Sequence, residues 1–381
     1  MKNLIFKVLV LNLLLFASLA VKGQVSFFYV EKVGTNGLVK ERYQGKIFNG
    51  DSIREGSYHY YNDNGVLIQE GFYSSGKPDS IWITYYPNSQ RKSLFKYSKG
   101  VRNGKFVFWN MDGTLYQTGQ YLNDKLSGEL ITYHGNGCID SRSTYKNGML
   151  NGLTEVYSAD SLLQLRSEYK NDTLNGIWQT FYKTGELYNS GKKKNGKNDD
   201  TLYTYYKSGR LLSKAFYVNG IITGTLSSFY ETGFPKIIST FDMGMQTGRY
   251  VEYYENGNTK EVGEYVQNEK SGIWRSSYED GHLHGEGLFV NGKLNGLWKF
   301  YHPNGNLKQI GKYSMGKACG FWRYYNKEGN LLLEGNYAND VQVGIWNAFY
   351  PTGIIAGRVF YIKTNKPIYK WVYSDTGVLQ K

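Results

Sequence analysis

A repeat of 24 residues runs through most of the chain and is the feature that most constrains its fold. Steps of 24 from Gly296 in both directions reach thirteen positions without an insertion, and eleven of these positions are glycine. We call them anchors and number every other column by its distance from the anchor. The period predicts a repeat protein in which each copy packs only against its neighbours. The anchors are Gly56, Ser80, Gly104, Gly128, Gly152, Gly176, Asp200, Gly224, Gly248, Gly272, Gly296, Gly320 and Gly344.

Other columns keep the same phase. Column +5 is aromatic in twelve of thirteen copies, and column +17 is aromatic in twelve as well. Column +2 carries a recurrent Trp, and column +9 carries Gly or Ser. Column +20 contains only Gly, Asp or Asn in the first twelve copies, and these residues tolerate positive φ best. The glycine-rich positions are therefore predicted to be turns, with strands between them.

Two turn signals per copy, near +9 and +20, predict β-hairpins. If +8 and +9 form a two-residue loop, Trp298 at +2 faces Gly311 at +15, and the indole covers a bare backbone. A second two-residue loop at +19 and +20 places Gly311 opposite the next anchor, Gly320. The sequence therefore predicts one continuous antiparallel sheet.

The fold class that follows is all-β. We expect an elongated single-layer antiparallel sheet of about thirteen tandem 24-residue hairpins, in the form of a solenoid-like rod. The face that carries columns +2, +6, +11 and +17 is expected to be the more apolar one. The other face, with columns +1, +3, +5, +12, +14 and +16, is expected to be a basic surface with an aromatic stripe.

Residues 1–23 have the composition of an export signal. Lys2 and Lys7 precede an apolar run over residues 8–20, and Val21 and Gly23 fit the small-residue positions before a cleavage site. The apolar run is too short for a comfortable transmembrane helix. We therefore expect a secreted, periplasmic or outer-envelope protein that begins near Gln24.

The remaining chain divides into three parts: a degenerate N-terminal cap at 24–55, the repeat array at 56–355, and a degenerate C-terminal half repeat at 356–381. The formal net charge of +13 permits binding to acidic polymers, but the charges are dispersed along the chain. A solvated basic surface is the favoured interpretation, and a nucleic-acid partner is not expected.

Three copies illustrate a resemblance to a known family: GIWQTFYKTGEL from Gly176, GRYVEYYENGN from Gly248 and GLWKFYHPNGNLKQIGKY from Gly296. They resemble the bacterial variant of the MORN repeat, which reads G-x-W-x-x-Y-Y-x-x-G-x-L-x-x-x-G-x-Y-x-x-G, over residues 56–355. The resemblance implies a rod of hairpins used for protein or membrane association. Chains of this kind are often grouped with YwqK-like antitoxins.

Candidate chemistry is sparse. His282, His284 and Glu286 alternate along a strand, so they could present three ligands to Zn²⁺; the alternative is a polar patch beside a turn. Cys138 and Cys319 are more than seven copies apart and are expected to stay unpaired. No phosphate-binding loop motif followed by a helix occurs in the sequence. We therefore expect neither an enzyme nor a cofactor.

The function predicted from the sequence is that of an exported scaffold that binds an unidentified protein through its aromatic and basic face. One alternative is a YwqK-like antitoxin that neutralises a toxin, and another is binding of an envelope polysaccharide or lipid. The sequence leaves the oligomeric state open. The candidate partner-binding residues all belong to column +5: Tyr205, Phe229, Tyr253, Tyr301, Tyr325 and Phe349.

Overall fold

A computed structural model of the chain describes residues 26–48, 51–362 and 366–380. The predicted signal peptide, residues 1–23, lies outside them. The chain divides into two units between Glu186 and Leu187, and the described residues of both consist of β-strands joined by turns. No helix in this part of the chain is long and apolar enough to span a membrane. The predicted all-β architecture of tandem antiparallel hairpins is confirmed.

In unit 1, each strand pairs antiparallel with the strand that follows it, and β9 and β10 together pair with β8. The first hairpin, β1 and β2, lies within the segment predicted to be a cap. The strands are β1 Ser26–Val33, β2 Val39–Phe48, β3 Asp51–Tyr61, β4 Leu67–Ser74, β5 Lys77–Tyr85, β6 Arg91–Ser98, β7 Val101–Trp109, β8 Leu115–Leu122, β9 Lys125–Leu126, β10 Gly128–Tyr133, β11 Ile139–Lys146, β12 Met149–Tyr157, β13 Leu163–Lys170 and β14 Thr173–Phe181.

Unit 2 repeats the same antiparallel order, and the short β16 and β17 together pair with β15. Its strands are β15 Leu187–Lys194, β16 Lys197–Asn198, β17 Asp200–Tyr205, β18 Leu211–Val218, β19 Ile221–Phe229, β20 Pro235–Asp242, β21 Met245–Tyr253, β22 Thr259–Val266, β23 Glu269–Ser277, β24 Leu283–Val290, β25 Lys293–Tyr301, β26 Leu307–Ser314, β27 Lys317–Tyr325, β28 Leu331–Ala338, β29 Val341–Phe349, β30 Ile355–Tyr361, β31 Pro367–Tyr373 and β32 Leu379–Gln380.

The first turn of each copy is longer than predicted. Between β25 and β26, the His302 N–H donates to the Asn306 carbonyl at 2.8 Å and the Gly305 N–H donates to the His302 carbonyl at 2.9 Å. Gly305 has a φ of 85°. The loop therefore has three residues and ends in a left-handed glycine, so the predicted two-residue loop is wrong.

The predicted pairing of Trp298 with Gly311 is nevertheless confirmed. Pairing shifts by one residue between Phe300 and Tyr301, which leaves Lys308 at +12 as an extra, bulged residue in β26. This bulge compensates for the longer loop. The second turn has the two residues predicted, Met315 and Gly316, with φ values of 48° and 90°.

The anchor column forms a second bulge that the sequence did not predict. Lys312 pairs with Cys319, but two residues earlier Ile310 pairs with Arg323, so β27 has two extra residues around Gly320. All thirteen anchors have positive φ, including Ser80 at 62° and Asp200 at 108°. The predicted pairing of Gly311 with Gly320 is therefore wrong. The anchor glycine supplies a left-handed bulge conformation that other residues adopt only with strain.

The bulge decides which indole covers which glycine. A Cβ atom added to Gly311 would collide with Trp322 of the following copy, and one on Gly287 would collide with Trp298. These two indoles thus cover the glycine of the preceding copy, not that of their own copy as predicted. The same relation holds for Trp82 on Gly71, Trp274 on Gly263 and Trp346 on Gly335.

These indoles form the buried core of the sheet. Trp274 is 1% exposed, and its Nε1 donates to the Glu264 carbonyl at 3.1 Å. Trp322 packs edge-on against Tyr313 with ring centroids 5.0 Å apart. Full burial of a large apolar side chain contributes about 3 kcal/mol. Because these indole rings lie flat on the backbone of the +15 glycines, the core is on one face of a single-layer sheet.

Candidate functional site

The two faces of the sheet have different environments. We call the side that carries the Trp and +17 rings the indole face, and the opposite side the open face. Column +12 was predicted on the open face, and this prediction is wrong. Lys260 at +12 pairs with Glu252 at 2.8 Å and lies over the Tyr254 ring, both on the indole side. The bulge at this column turns its side chains to the indole face, where Lys308 borders a cavity with His302.

Column +6 joins neighbouring copies along one margin of the indole face. The Tyr278 hydroxyl donates to the Tyr301 carbonyl at 2.8 Å, and His302 Nε2 lies 2.9 Å from the Tyr325 carbonyl. The same side-chain contact to the +5 carbonyl of the next copy recurs from Tyr86, His134, Tyr206, Tyr230, Tyr254 and Tyr350. Sequence reasoning missed this role, although the recurrence of Tyr at +6 was visible. The side chains of the indole face mainly hold the sheet together.

The six predicted binding residues lie in column +5, and each of them is half-buried: Tyr205, Phe229, Tyr253, Tyr301, Tyr325 and Phe349. We call them the +5 stripe. The Tyr301 hydroxyl lies 3.4 Å from Glu286 Oε1 in the preceding copy, and burial, followed by Glu286, raises the Tyr301 pKa. In unit 1 the equivalent Tyr85 donates to Glu70 at 2.6 Å, and burial with this bond raises its pKa to about 12. Rings in this column therefore contribute to contacts between copies.

A more exposed apolar series lies in column +1 of unit 2. Ile273, Leu297, Phe321 and Ile345 are 64%, 50%, 45% and 51% exposed, and they belong to four consecutive copies. We call these four residues the +1 row. Sequence reasoning assigned Leu297 to this face but chose the +5 stripe as the site. The signal that could have found the row was the unbroken series of apolar residues at +1.

Cross-strand neighbours extend the row in the other strand of each hairpin. Two of the four neighbours are apolar, and two are polar. The pairs are Ile273 with Leu288, Leu297 with Lys312, Phe321 with Asn336 and Ile345 with Phe360. A shallow cavity between Ile273 and Leu297 has the backbone of Gly287 among its lining. The open face of unit 2 thus offers a row of exposed apolar side chains across several strands, with Lys312 and Asn336 between some of its members.

Charged side chains lie beside this row at +3 and +14. Arg275 pairs with Glu286 at 3.1 Å, and Arg323 pairs with Glu334 at 3.2 Å. Lys299 lies opposite Ile310. Neither Lys299 nor Lys312 has an ion pair among the residues the structure describes. These two amines leave the row with uncompensated positive charge.

The structure does not bring the three predicted metal ligands together. His282 Nδ1 lies 3.2 Å from Asp280 in the turn, and His284 Nδ1 lies 3.2 Å from Ser276 Oγ. Glu286 pairs instead with Arg275 on the open face. His284 occupies the bulged +12 position, so strict alternation of the side chains breaks down there. Across residues 26–48, 51–362 and 366–380, no three His, Cys, Asp or Glu side chains lie close enough to hold a metal ion.

Residues 246–267, 270–291 and 294–314 match the model of the MORN repeat variant family. These three copies are MORN variant repeats. The three matches are consecutive copies in the same 24-residue phase, within the segment whose resemblance was noted above. They also include Ile273 and Leu297 of the +1 row. Cys138 and Cys319, which interrupt two other copies, are both free thiols.

Comparison with curated proteins gives no significant match. Among solved structures, the chain is similar to a crystal structure of TcdB2-TccC3-Cdc42, with 12% identity, a TM-score of 0.16 and coverage of 91% of this chain and 23% of that chain. A second is a Photorhabdus luminescens Tc holotoxin pore, with 12% identity, a TM-score of 0.15, and coverage of 91% and 24%. The chain spans about a quarter of the length of these chains.

Proposed function

We propose that this protein is an exported, non-catalytic repeat scaffold that binds a protein partner through the open face of unit 2. The observation that supports this most is the +1 row, because four consecutive copies expose an apolar side chain in the same column of one face. Soluble proteins seldom expose such rows unless something binds there. The +5 stripe runs along the same face and supplies aromatic area at low entropic cost. Export rests on residues 1–23, and N-terminal sequencing of the native protein should begin at Gln24.

The indole face is a poorer candidate for the binding surface. Its largest side chains are already buried against glycine backbone, and its +6 side chains donate to carbonyls of the next copy. Groups that stabilise the sheet cannot leave those contacts without loss of stability. The open face can bind a partner without that cost, since its +1 side chains face solvent.

The test is capture of the native partner by purified variants. We expect Leu297→Thr with Phe321→Thr to abolish capture, because both changes remove exposed apolar area while threonine suits a strand. The matched control is Ile81→Thr with Leu153→Thr, which alters the same column in unit 1. Equal capture by the two double variants, with unchanged melting, would refute a binding role for this face.

The +5 stripe is tested separately with Tyr253, Tyr301 and Tyr325 replaced by Ser. If the stripe contributes contact area, capture weakens while circular dichroism still reports the sheet. Undiminished capture would restrict the surface to the +1 row.

The identity of a captured partner separates the finer possibilities. A secreted toxin encoded beside this gene would make the protein an antitoxin, the role implied by YwqK-like chains. Binding to envelope lipid would decrease steeply with added salt, because it depends on exposed lysines. Polysaccharide binding by ring stacking would resist salt. Either of these last two results, without a protein partner, would overturn the proposal.

A further inference from the structure

We propose that the +1 row of unit 2 binds an acidic amphipathic α-helix whose apolar residues recur every seven positions. The inference rests on the proposed function and names the class of partner. It is argued from the spacing of Ile273, Leu297, Phe321 and Ile345, from their exposure, and from the charges beside them.

The spacing of the row fits a helix that lies across the strands. Members of the row are two strands apart, and neighbouring strands are separated by about 4.8 Å, so the row repeats at about 9.6 Å. Seven residues of α-helix rise by about 10.5 Å. One apolar residue per heptad can therefore meet one member of the row per copy, with a mismatch of about 1 Å at each step.

Extended ligands fit the row less well. A β-strand presents side chains on one face every ~6.8 Å, which does not match the row. A polyproline helix repeats at about 9.3 Å and matches in length. It is too narrow, however, to bridge the +1 row and the +5 stripe, since four strand residues separate them by about 13 Å. A helix with its side chains is about 10–12 Å wide, which comes close to the width of that band.

Charge favours an acidic helix. From Gly248 to Tyr361, columns +1, +3, +5, +14 and +16 contain six basic and three acidic residues. Two of the three acids, Glu286 and Glu334, are already paired with arginines. Glu residues that flank the apolar stripe of the helix would therefore meet Lys299 and Lys312. Such pairs set orientation and association rate more than affinity.

Unit 1 offers no comparable row. Its +1 column is interrupted by Lys105 and Glu129, although Ile81 is 50% exposed, as Leu297 is. Single exposed apolar residues are ordinary on protein surfaces. Unit 1 therefore supplies a control in the same column, since Ile81 and Leu153 are 50% and 38% exposed, against 50% and 45% for Leu297 and Phe321.

The experiment uses a synthetic peptide of four heptads, with one Leu per heptad, Glu at the flanking positions and Ala elsewhere. The full chain is titrated into the peptide by calorimetry, and helix formation is followed by circular dichroism. We expect saturable binding with a gain of helicity. Leu297→Thr with Phe321→Thr should weaken it by about tenfold, whereas Ile81→Thr with Leu153→Thr should leave it unchanged.

Three comparison ligands decide specificity. A peptide of the same composition with its Leu residues moved off the heptad, and one with Lys in place of Glu, should bind at least about tenfold more weakly. Anionic phosphatidylglycerol vesicles should not compete. Undetectable binding of the acidic peptide, equal binding of the altered peptides, or displacement by vesicles would overturn the inference. If the peptide does not bind while capture of the native partner still depends on Leu297 and Phe321, the helix inference fails. The proposed function then stands, with a partner of different structure.

Discussion

At the scale of the residue, the glycine at +15 is kept free of a side chain because an indole from the next copy lies on it. Gly311→Ala should destabilise the protein by about 2 kcal/mol, since the added methyl group collides with Trp322. Urea unfolding of the full chain measures this loss. In a Trp322→Leu background the same substitution should cost far less, and an equal cost in both backgrounds would contradict the indole contact.

Tyrosines bonded to carboxylates make the fold sensitive to alkali. The Tyr85 pKa is raised from 10 to about 12 by burial and by Glu70, so the folded state favours the neutral phenol. The stabilisation from this group is therefore complete below about pH 10 and is lost as pH rises through about 12. The stability difference between wild type and Tyr85→Phe should shrink over that interval. A difference that stays constant between those pH values would contradict the assignment.

The aromatic residues at +5 and the apolar residues at +1 explain why the sequence predicted only part of the candidate binding surface. Aromatic recurrence at +5 correctly indicated a regular column on the open face, but it did not show that Tyr301 reaches back to Glu286. Exposure depends on such contacts between copies, which the periodicity of a single column does not reveal. The exposed Ile273 and Leu297 carried a weaker sequence signal, because an apolar residue at a strand position is ordinarily read as core.

At the scale of the element, a Tyr or His at +6 joins many of the hairpins to the next copy. Tyr230→Phe, Tyr254→Phe and Tyr278→Phe together remove three hydroxyl bonds to half-buried carbonyls. We expect a loss of about 3 kcal/mol, at about 1 kcal/mol for each bond. Tyr116→Phe is the control, since that side chain is largely exposed. Equal stability of the triple variant and the control would show that the +6 hydroxyl bonds do not stabilise the fold.

The hairpins themselves could be predicted because turn residues recur at fixed offsets. The second turn was predicted in full, since two adjacent positive-φ residues specify a two-residue loop. The sequence did not predict the longer first turn, because the bulge at Lys308 restores the same pairing of Trp298 with Gly311 that a two-residue loop would give. The sequence did not predict the bulge at Gly320. A recurrent glycine fits both a bulge and a regular strand position that an aromatic ring covers, and the pattern alone does not distinguish them.

At the scale of the whole molecule, the fold is a series of equivalent copies, so stability should depend on phase more than on length. Removal of residues 224–247, one full copy, should preserve the strand signal in circular dichroism and shift the melting temperature by only a few degrees, about 2–4 °C. Removal of residues 224–246 shifts all later columns to the opposite face at the junction and should abolish cooperative melting. Similar melting of the two deletions would contradict a phase-dependent fold.

The central claim is that one face of unit 2 holds the sheet together and the other binds a partner. It is tested most directly by photo-cross-linking in native cells, with the reactive residue placed at Leu297 on the open face or at Lys308 on the indole face. Both positions are exposed and lie in the same copy. We predict a single discrete protein adduct at Leu297, identified by mass spectrometry, and none at Lys308. The same adduct at both positions, or at Lys308 alone, would contradict the claim.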